Sequence, residues 1–191
     1  NSDFSMLDAI ILDSALSETA THEQKFFTAM DCYIHCVESL TGTFLNALSQ
    51  SYAEKALDLC SQSFLGDYNP DNMMVASYMG GASIVNSEVG ICHALSYGLS
   101  LELKLRHGIA NCIIFNQLEE FYEPHVATFQ KMLDLENISL PENISKDFGE
   151  ARLNRMIEMT LQMEKPLTNA LGPDWPSLMT PSKIKDLYMK L

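Results

Sequence analysis

Beyond residue 20 the apolar positions recur at the three-to-four-residue spacing of amphipathic helices, and turn-forming residues cut that pattern into segments. Thr21 followed by Gln24 is a capping-box pattern, and no Gly or Pro interrupts the run from His22 to about Leu40, which predicts the first helix. A second is predicted from about Leu45 to Phe64, with Leu45, Leu48, Tyr52, Ala56, Leu59 and Cys60 as its apolar stripe, stopping near Gly66. Asn69-Pro70-Asp71 opens a third that reaches past Gly80-Gly81 to Ala82, and its many small residues suit either close helix packing or the wall of a site. Ser87 to Tyr97 predicts a fourth helix ending near Gly98, after which Leu99 to Leu105 alternates apolar and polar as an extended segment does. A fifth begins at His107 and Gly108 and continues to about Tyr122.

Pro124 starts a short helix to about Leu135, and residues 147–165 are helical in pattern until Pro166 imposes a boundary. Leu171 to Pro181 reads as a structured turn, and Thr180-Pro181 supplies an N-cap and a first-turn proline for a last helix, Ser182 to Leu191. The expected fold class is therefore all-α. Residues 1–20 read as a connector and 21–191 as a single helical domain with no long repeat.

Candidate chemistry collects on three of these segments. Asp31 and His35 are four residues apart, hence on one helix face and about one turn from each other, where both can approach one ion. His93 and His107 are separated by fourteen residues, which on one straight helix is about 21 Å at 1.5 Å per residue. A shared ion with bonds of about 2 Å then requires a break between them, and Gly98 permits one. Each residue also has an ordinary reading: Asp31 as a helix ion-pair partner, His35 and His93 as hydrogen-bonded interior residues, His107 as a helix-start residue. Cys32 and Cys36 project roughly 100° around the helix from that pair and read as core thiols. His22 and His125 lie in charged, exposed surroundings and are left outside the site. One carboxylate and three neutral imidazoles would form a plausible shell for Fe(II) or Zn(II), able to accept an alcohol or carbonyl oxygen.

Length and charge narrow the class. A chain of 191 residues with 47% hydrophobic positions can bury a substantial core, and a formal net charge of −13 argues against a nucleic-acid partner. Five scattered cysteines do not make a disulfide framework and point to a reducing cytoplasm. The apolar run Met6 to Leu12 is too short to cross a bilayer and no basic segment precedes it, so no membrane partner is expected. No Gly-rich dinucleotide fingerprint or phosphate loop is visible.

The runs Thr28-Ala29-Met30-Asp31-Cys32-Tyr33-Ile34-His35-Cys36-Val37-Glu38, Gly90-Ile91-Cys92-His93-Ala94-Leu95-Ser96-Tyr97 and His107-Gly108-Ile109-Ala110-Asn111 together resemble the metal-binding half of the iron-containing, or group III, alcohol dehydrogenases. In that family an Asp and a His separated by three residues, a His in a glycine-containing segment and a later His followed by Gly bind one divalent metal. The resemblance places these roles on Asp31, His35, His93 and His107. It also implies an upstream α/β domain that binds NAD(P), with this chain beginning beyond it at Asn1, and substrate held in the cleft between the halves. The chain alone is then expected to bind metal without turning over substrate.

Two positions depart from the family pattern. Ala29 stands where Gly is usual, and Tyr97 stands where many members carry a second His near the nicotinamide, so Tyr97 is placed in the cofactor or substrate wall. Tyrosine cannot act as an imidazole proton relay at neutral pH. The finer pattern is similar to the branch that oxidises the terminal hydroxyl of 3-deoxy-manno-octulosonate, an acidic sugar used in lipopolysaccharide biosynthesis, for which Lys104 and Arg106 are available cations. Glycerol dehydrogenases and dehydroquinate-synthase-like metalloenzymes are the runners-up, and a noncatalytic helical domain stabilised by metal is the alternative of another class. The resemblance further implies a homodimer or larger homo-oligomer.

Overall fold

A computed structural model describes residues 9–191 and, among them, contains helices and connecting segments but no strand. The all-α expectation is met. After a short 3-10 turn at Ser14–Ser17, helices run over His22–Thr41 (α1), Ala47–Leu65 (α2), Pro70–Asn86 (α3), Ile91–Leu103 (α4), His107–Phe115 (α5), Glu119–Tyr122 (α6) and His125–Glu136 (α7). Glu150–Leu161 (α8), Glu164–Leu171 (α9), Trp175–Leu178 (α10) and Pro181–Tyr188 (α11) complete the order. The short apolar run at Met6 to Leu12 falls partly outside the described residues, and no described helix is long and apolar enough to cross a membrane.

Three of the helix starts follow from local chemistry. Thr21 Oγ1 accepts the Gln24 N–H at the start of α1, Asn69 caps α3 ahead of Pro70, and Thr180 caps α11 ahead of Pro181. On α1 the residues Phe26, Met30, Tyr33, Ile34 and Val37 are all buried, and α2 and α3 pack against this helix as one layer. The small residues of α3 serve that packing. A Cβ on Gly80 would stand 2.6 Å from Cys32 Sγ, so the two helices touch where the glycine leaves no side chain between them. The other layer is built on α4, which packs against α5 and α8, with α11 lying on α8. α1 meets α4 and α5 along the seam between the layers.

Several details differ from the sequence pattern; the fifth predicted helix, for one, stops at Phe115 and is followed by a separate helical turn at Glu119–Tyr122. The inward face of α2 is Ala53, Ala56, Leu59, Cys60 and Phe64, while Leu48 is half-exposed, because the capping box between Asn46 and Ser49 turns Ser49 inward at the helix start. Residues 99–103 are helical rather than extended, and α4 ends at Lys104, whose left-handed backbone (φ 55°) makes the turn. Gly98 instead lets α4 lie close to its neighbours: a Cβ there would be 2.7 Å from the Tyr188 hydroxyl, which donates to the Leu95 carbonyl at 2.8 Å. Pro166 opens a helix rather than ending one, since it sits in the first turn of α9, where N–H groups have no intrahelical acceptor. His125 is not an exposed polar residue; its ring packs edge-on against Tyr33 and burial depresses its pKa.

Candidate metal centre

Asp31 on α1, His93 on α4 and His107 on α5 converge at the seam, each offering one ligand atom, with all three atoms within 4.8 Å of one another. His93 Nε2 and His107 Nε2 each lie 3.4 Å from Asp31 Oδ1. Donor atoms about 2.0–2.1 Å from one tetrahedral ion are separated by about 3.3 Å, so these two edges already have the dimension that a single ion requires. His35 is one step removed. Its Nε2 is 3.9 Å from Asp31 Oδ1, and its ring stacks on that of His93 with centroids 4.6 Å apart. The break that the histidine spacing demands is present between α4 and α5, at residues 104–106.

Local features hold each arm in place. Gly108 allows the start of α5 to abut α1, because a Cβ there would lie 2.6 Å from the Phe27 carbonyl oxygen, one turn before Asp31. At the start of α4, Asn169 donates to the carbonyls of Glu88 and Val89 and accepts the Phe44 N–H, tying the approach to Gly90 to the loop after α1. Glu38, completely buried on α1, has Oε2 2.5 Å from His93 Nδ1 and accepts the Cys92 N–H through Oε1 at 2.6 Å.

The electrostatics suit a cation. Burial opposes the charged form of Asp31, yet the neighbouring imidazoles of His93, His35 and His107 hold its carboxyl well below the usual carboxylate range. Burial also opposes charge on His93, but the Glu38 and Asp31 carboxylates outweigh it and raise that pKa to about 9. His35, buried and facing the charge of His93, is pushed down to about 4, and burial lowers His107 too. Asn111 reports the same field. Its Nδ2 donates to Asp31 Oδ1 and lies 3.1 Å from both His93 Nε2 and His107 Nε2, while its own Oδ1 is buried without a partner. Three polar atoms thus crowd one amide nitrogen, which has only two protons to give, while the amide oxygen is orphaned. The donor set, one carboxylate and imidazole nitrogens, fits Fe(II) or Zn(II).

Tyr97 stands beside this group, its ring stacked on His107 with centroids 5.5 Å apart and edge-on to His93. Burial and the carboxylates of Asp31, Glu38 and Glu88 push its hydroxyl pKa up, so at neutral pH it is an uncharged donor. An open cleft of about 530 Å³ leads to Asp31 and His107, with Thr21, Thr28, Arg106 and Gly108 in its lining, and Arg106 donates to Gln24 there.

The profile of the Fe-containing alcohol dehydrogenase family, C-terminal part, matches residues 25–169, three quarters of the chain, a span that holds Asp31, His35, Glu38, His93, Tyr97, His107 and Asn111. The chain belongs to the iron-containing alcohol dehydrogenase family. An alcohol dehydrogenase of Thermococcus barophilus is 27% identical over 94% of this chain and 53% of its own length. The iron-containing alcohol dehydrogenase of Thermococcus thioreducens has the same fold, with a TM-score of 0.75 at 20% identity over 94% of this chain and 53% of that one. A sulfoacetaldehyde reductase from Bifidobacterium kashiwanohense, solved with NAD+, superimposes with a TM-score of 0.71 at 14% identity over 92% of this chain and 52% of its own. The chain thus spans about half the length of these iron-containing alcohol dehydrogenases and their relatives.

Sequence reasoning passed over Glu38, Asn111 and Asn169. The first two lie inside the motif runs that carry the family resemblance, and Glu38 follows Asp31 and His35 at i+7 and i+3, on the same helix face. A carboxylate recurring on the ligand face was the available signal. Nothing local marks Asn169, whose partners are 80 or more residues away in the chain.

Proposed function

We propose that this chain is the metal-binding half of an NAD(P)-dependent alcohol dehydrogenase, holding one Fe(II) or Zn(II) ion through Asp31, His35, His93 and His107. The observation that carries the reading is the convergence of Asp31, His93 and His107 from three helices on one point at the foot of an open cleft. When bound, the ion would supply Lewis acidity to an alcohol or carbonyl oxygen, the chemistry that an NAD(P)-dependent hydride transfer needs.

The chain's own residues do the rest. Asp31 supplies the anionic ligand that offsets part of the ion's charge, and the low pKa values of His35 and His107 keep both rings neutral and able to donate a lone pair at pH 7. Tyr97, stacked on His107, walls the site and keeps its proton, so it orients cofactor or substrate by packing and hydrogen bonding and does not relay protons as an imidazole would.

The substrate proposed is a small alcohol, in the finer reading a primary hydroxyl of an acidic sugar such as 3-deoxy-manno-octulosonate. Arg106 at the cleft supports an acidic substrate, as does the sequence similarity to a sulfoacetaldehyde reductase, whose named substrate is itself an anion. Five unpaired, buried thiols support a reducing compartment such as the cytoplasm. The proposed assembly is a homodimer or larger homo-oligomer, with residues 1–20 as the connector to the nucleotide-binding half.

Anaerobic elemental analysis tests the centre. The chain is expected to retain near-stoichiometric iron or zinc, and a His93→Ala/His107→Ala double variant prepared identically is expected to lose it. A folded wild-type chain that retains neither overturns the reading. The lack of any dinucleotide fingerprint in the sequence favours a second reading, in which the metal only stabilises a helical domain. Supplying the upstream half and observing metal-dependent NAD+ reduction with an acidic sugar alcohol decides between them.

A further inference from the structure

Glu38 is a carboxylate with 1% exposure whose hydrogen bonds go to the start of α4 and to the Tyr122 hydroxyl. That helix begins at Gly90, which provides no side-chain cap of its own. Glu38 reaches across from α1 to do so: Oε1 accepts the Cys92 N–H at 2.6 Å and the His93 N–H at 3.4 Å. The Tyr122 hydroxyl donates to the same oxygen at 3.2 Å and accepts the Ile91 N–H at 3.0 Å, so all three opening N–H groups of α4 are satisfied from other elements. Gly90 makes room for both partners, since a Cβ there would stand 2.7 Å from the Tyr122 hydroxyl and 3.1 Å from Glu38 Oε1.

A cap needs only one oxygen. The second, Oε2, is directed to His93 Nδ1 alone, at 2.5 Å. We propose that Glu38 is the positioning residue of the metal centre: one carboxylate anchors the main chain of His93 through Oε1 and its ring through Oε2, fixing the Nδ1–H tautomer so that the Nε2 lone pair faces Asp31 and His107. This rests on the metal-centre reading above. The chemistry is directional. A carboxylate can only accept, so the ring nitrogen facing it keeps its proton and the opposite nitrogen is the one that yields its proton to a cation. Because the same group holds both the backbone and the ring of His93, the ligand has no rotamer freedom left to lose when a cation binds.

Glu38→Gln is nearly isosteric and separates the two tasks. The amide oxygen can still cap α4, but the amide nitrogen only donates and so stabilises the wrong tautomer of His93, with the proton on Nε2. Zn(II) affinity of the whole chain is measured by competition with a chromogenic chelator, alongside Tyr122→Phe, which removes a hydroxyl from the Oε1 side and leaves the Oε2 contact intact. Glu38→Gln is expected to weaken zinc binding about 10–100-fold, and Tyr122→Phe to lower the melting temperature with little change in zinc affinity. Equal zinc binding by Glu38→Gln and wild type overturns the proposal, as does an equal loss in both variants, which would make Glu38 a cap alone.

A measurement on the wild type covers a variant that does not fold. Long-range proton–nitrogen NMR of the zinc-loaded chain is expected to show His93 protonated on Nδ1, and a proton on Nε2 overturns the assignment. The two readings fail differently: a wild-type chain that binds no zinc sinks the centre and Glu38's role with it, whereas zinc binding indifferent to Glu38 sinks that role alone.

Discussion

Gly108 and the carbonyl of Phe27 are in such close approach that a Cβ on the glycine would lie 2.6 Å from the oxygen. The contact joins the first turn of α5 to α1 one turn before Asp31, so it sets how near His107 comes to its carboxylate partner. The obstacle is main chain, which cannot rotate away as a side chain can. Gly108→Ala is expected to destabilise the fold by about 1–3 kcal/mol through overpacking and to weaken metal binding as well, checked by urea denaturation and zinc titration on the same sample.

Gly81 is the contrasting case. It lies within α3 with nothing within 4 Å of the Cβ position. Gly81→Ala is therefore expected to stabilise the chain by up to about 1 kcal/mol through helix propensity and a less flexible unfolded state, with unchanged metal affinity. A melting temperature that falls would contradict the open space seen there.

In the metal-free chain the stability is expected to peak near pH 6.5 and to fall on either side. His93 has its pKa raised from 6.5 to about 9, so its contribution is complete below pH 6.5 and is lost as pH rises through 9. His35 is lowered from 6.5 to about 4, so its contribution is present above pH 6.5 and is lost as pH falls toward 4. The lowered carboxyls of Asp31 and Glu38 add to the acid side. Denaturant midpoints measured across this range in a chelator-containing buffer check both slopes.

Metal binding carries its own pH signature. Below pH 9 the ring of His93 holds a proton that a bound cation must displace. Between pH 7 and 9 the apparent affinity is expected to climb about tenfold per pH unit, with about one proton released per ion. Calorimetry in buffers of differing ionisation enthalpy counts that proton.

All five cysteines are buried and unpaired, and burial pushes the thiols of Cys92 and Cys112 up. A disulfide-exchange reagent is expected to find no fast-reacting thiol in the native chain and five after denaturation. Rapid labelling of any one in the folded protein would show that its helix opens locally.

Much of this arrangement was legible because it is written locally. Thr21, Asn69-Pro70 and Thr180-Pro181 announce helix starts by their own chemistry, and Asp31 with His35 share a face by spacing alone. The fourteen residues between His93 and His107 required a break, and one exists, but at Lys104 rather than Gly98. Gly98 carries two meanings that sequence cannot separate, a hinge or a close approach, and only the Tyr188 hydroxyl, 90 residues further on, selects the second. Glu38 and Asn169 were illegible for the same reason, since their roles are fixed by partners dozens of residues away.

The connector at residues 104–106 gives the centre an uneven tolerance to changes in chain length. His93 and His107 have ring centroids 5.4 Å apart, although α4 carries the chain away for ten residues beyond His93 before the turn. A residue inserted inside that stretch would swing the exit from α4 by about 100° and send His107 to another face of the molecule. The same insertion placed beside Lys104 could be taken up by the turn. Related chains that vary in length between their two histidines should therefore carry the difference in the turn, and the helix should keep its count.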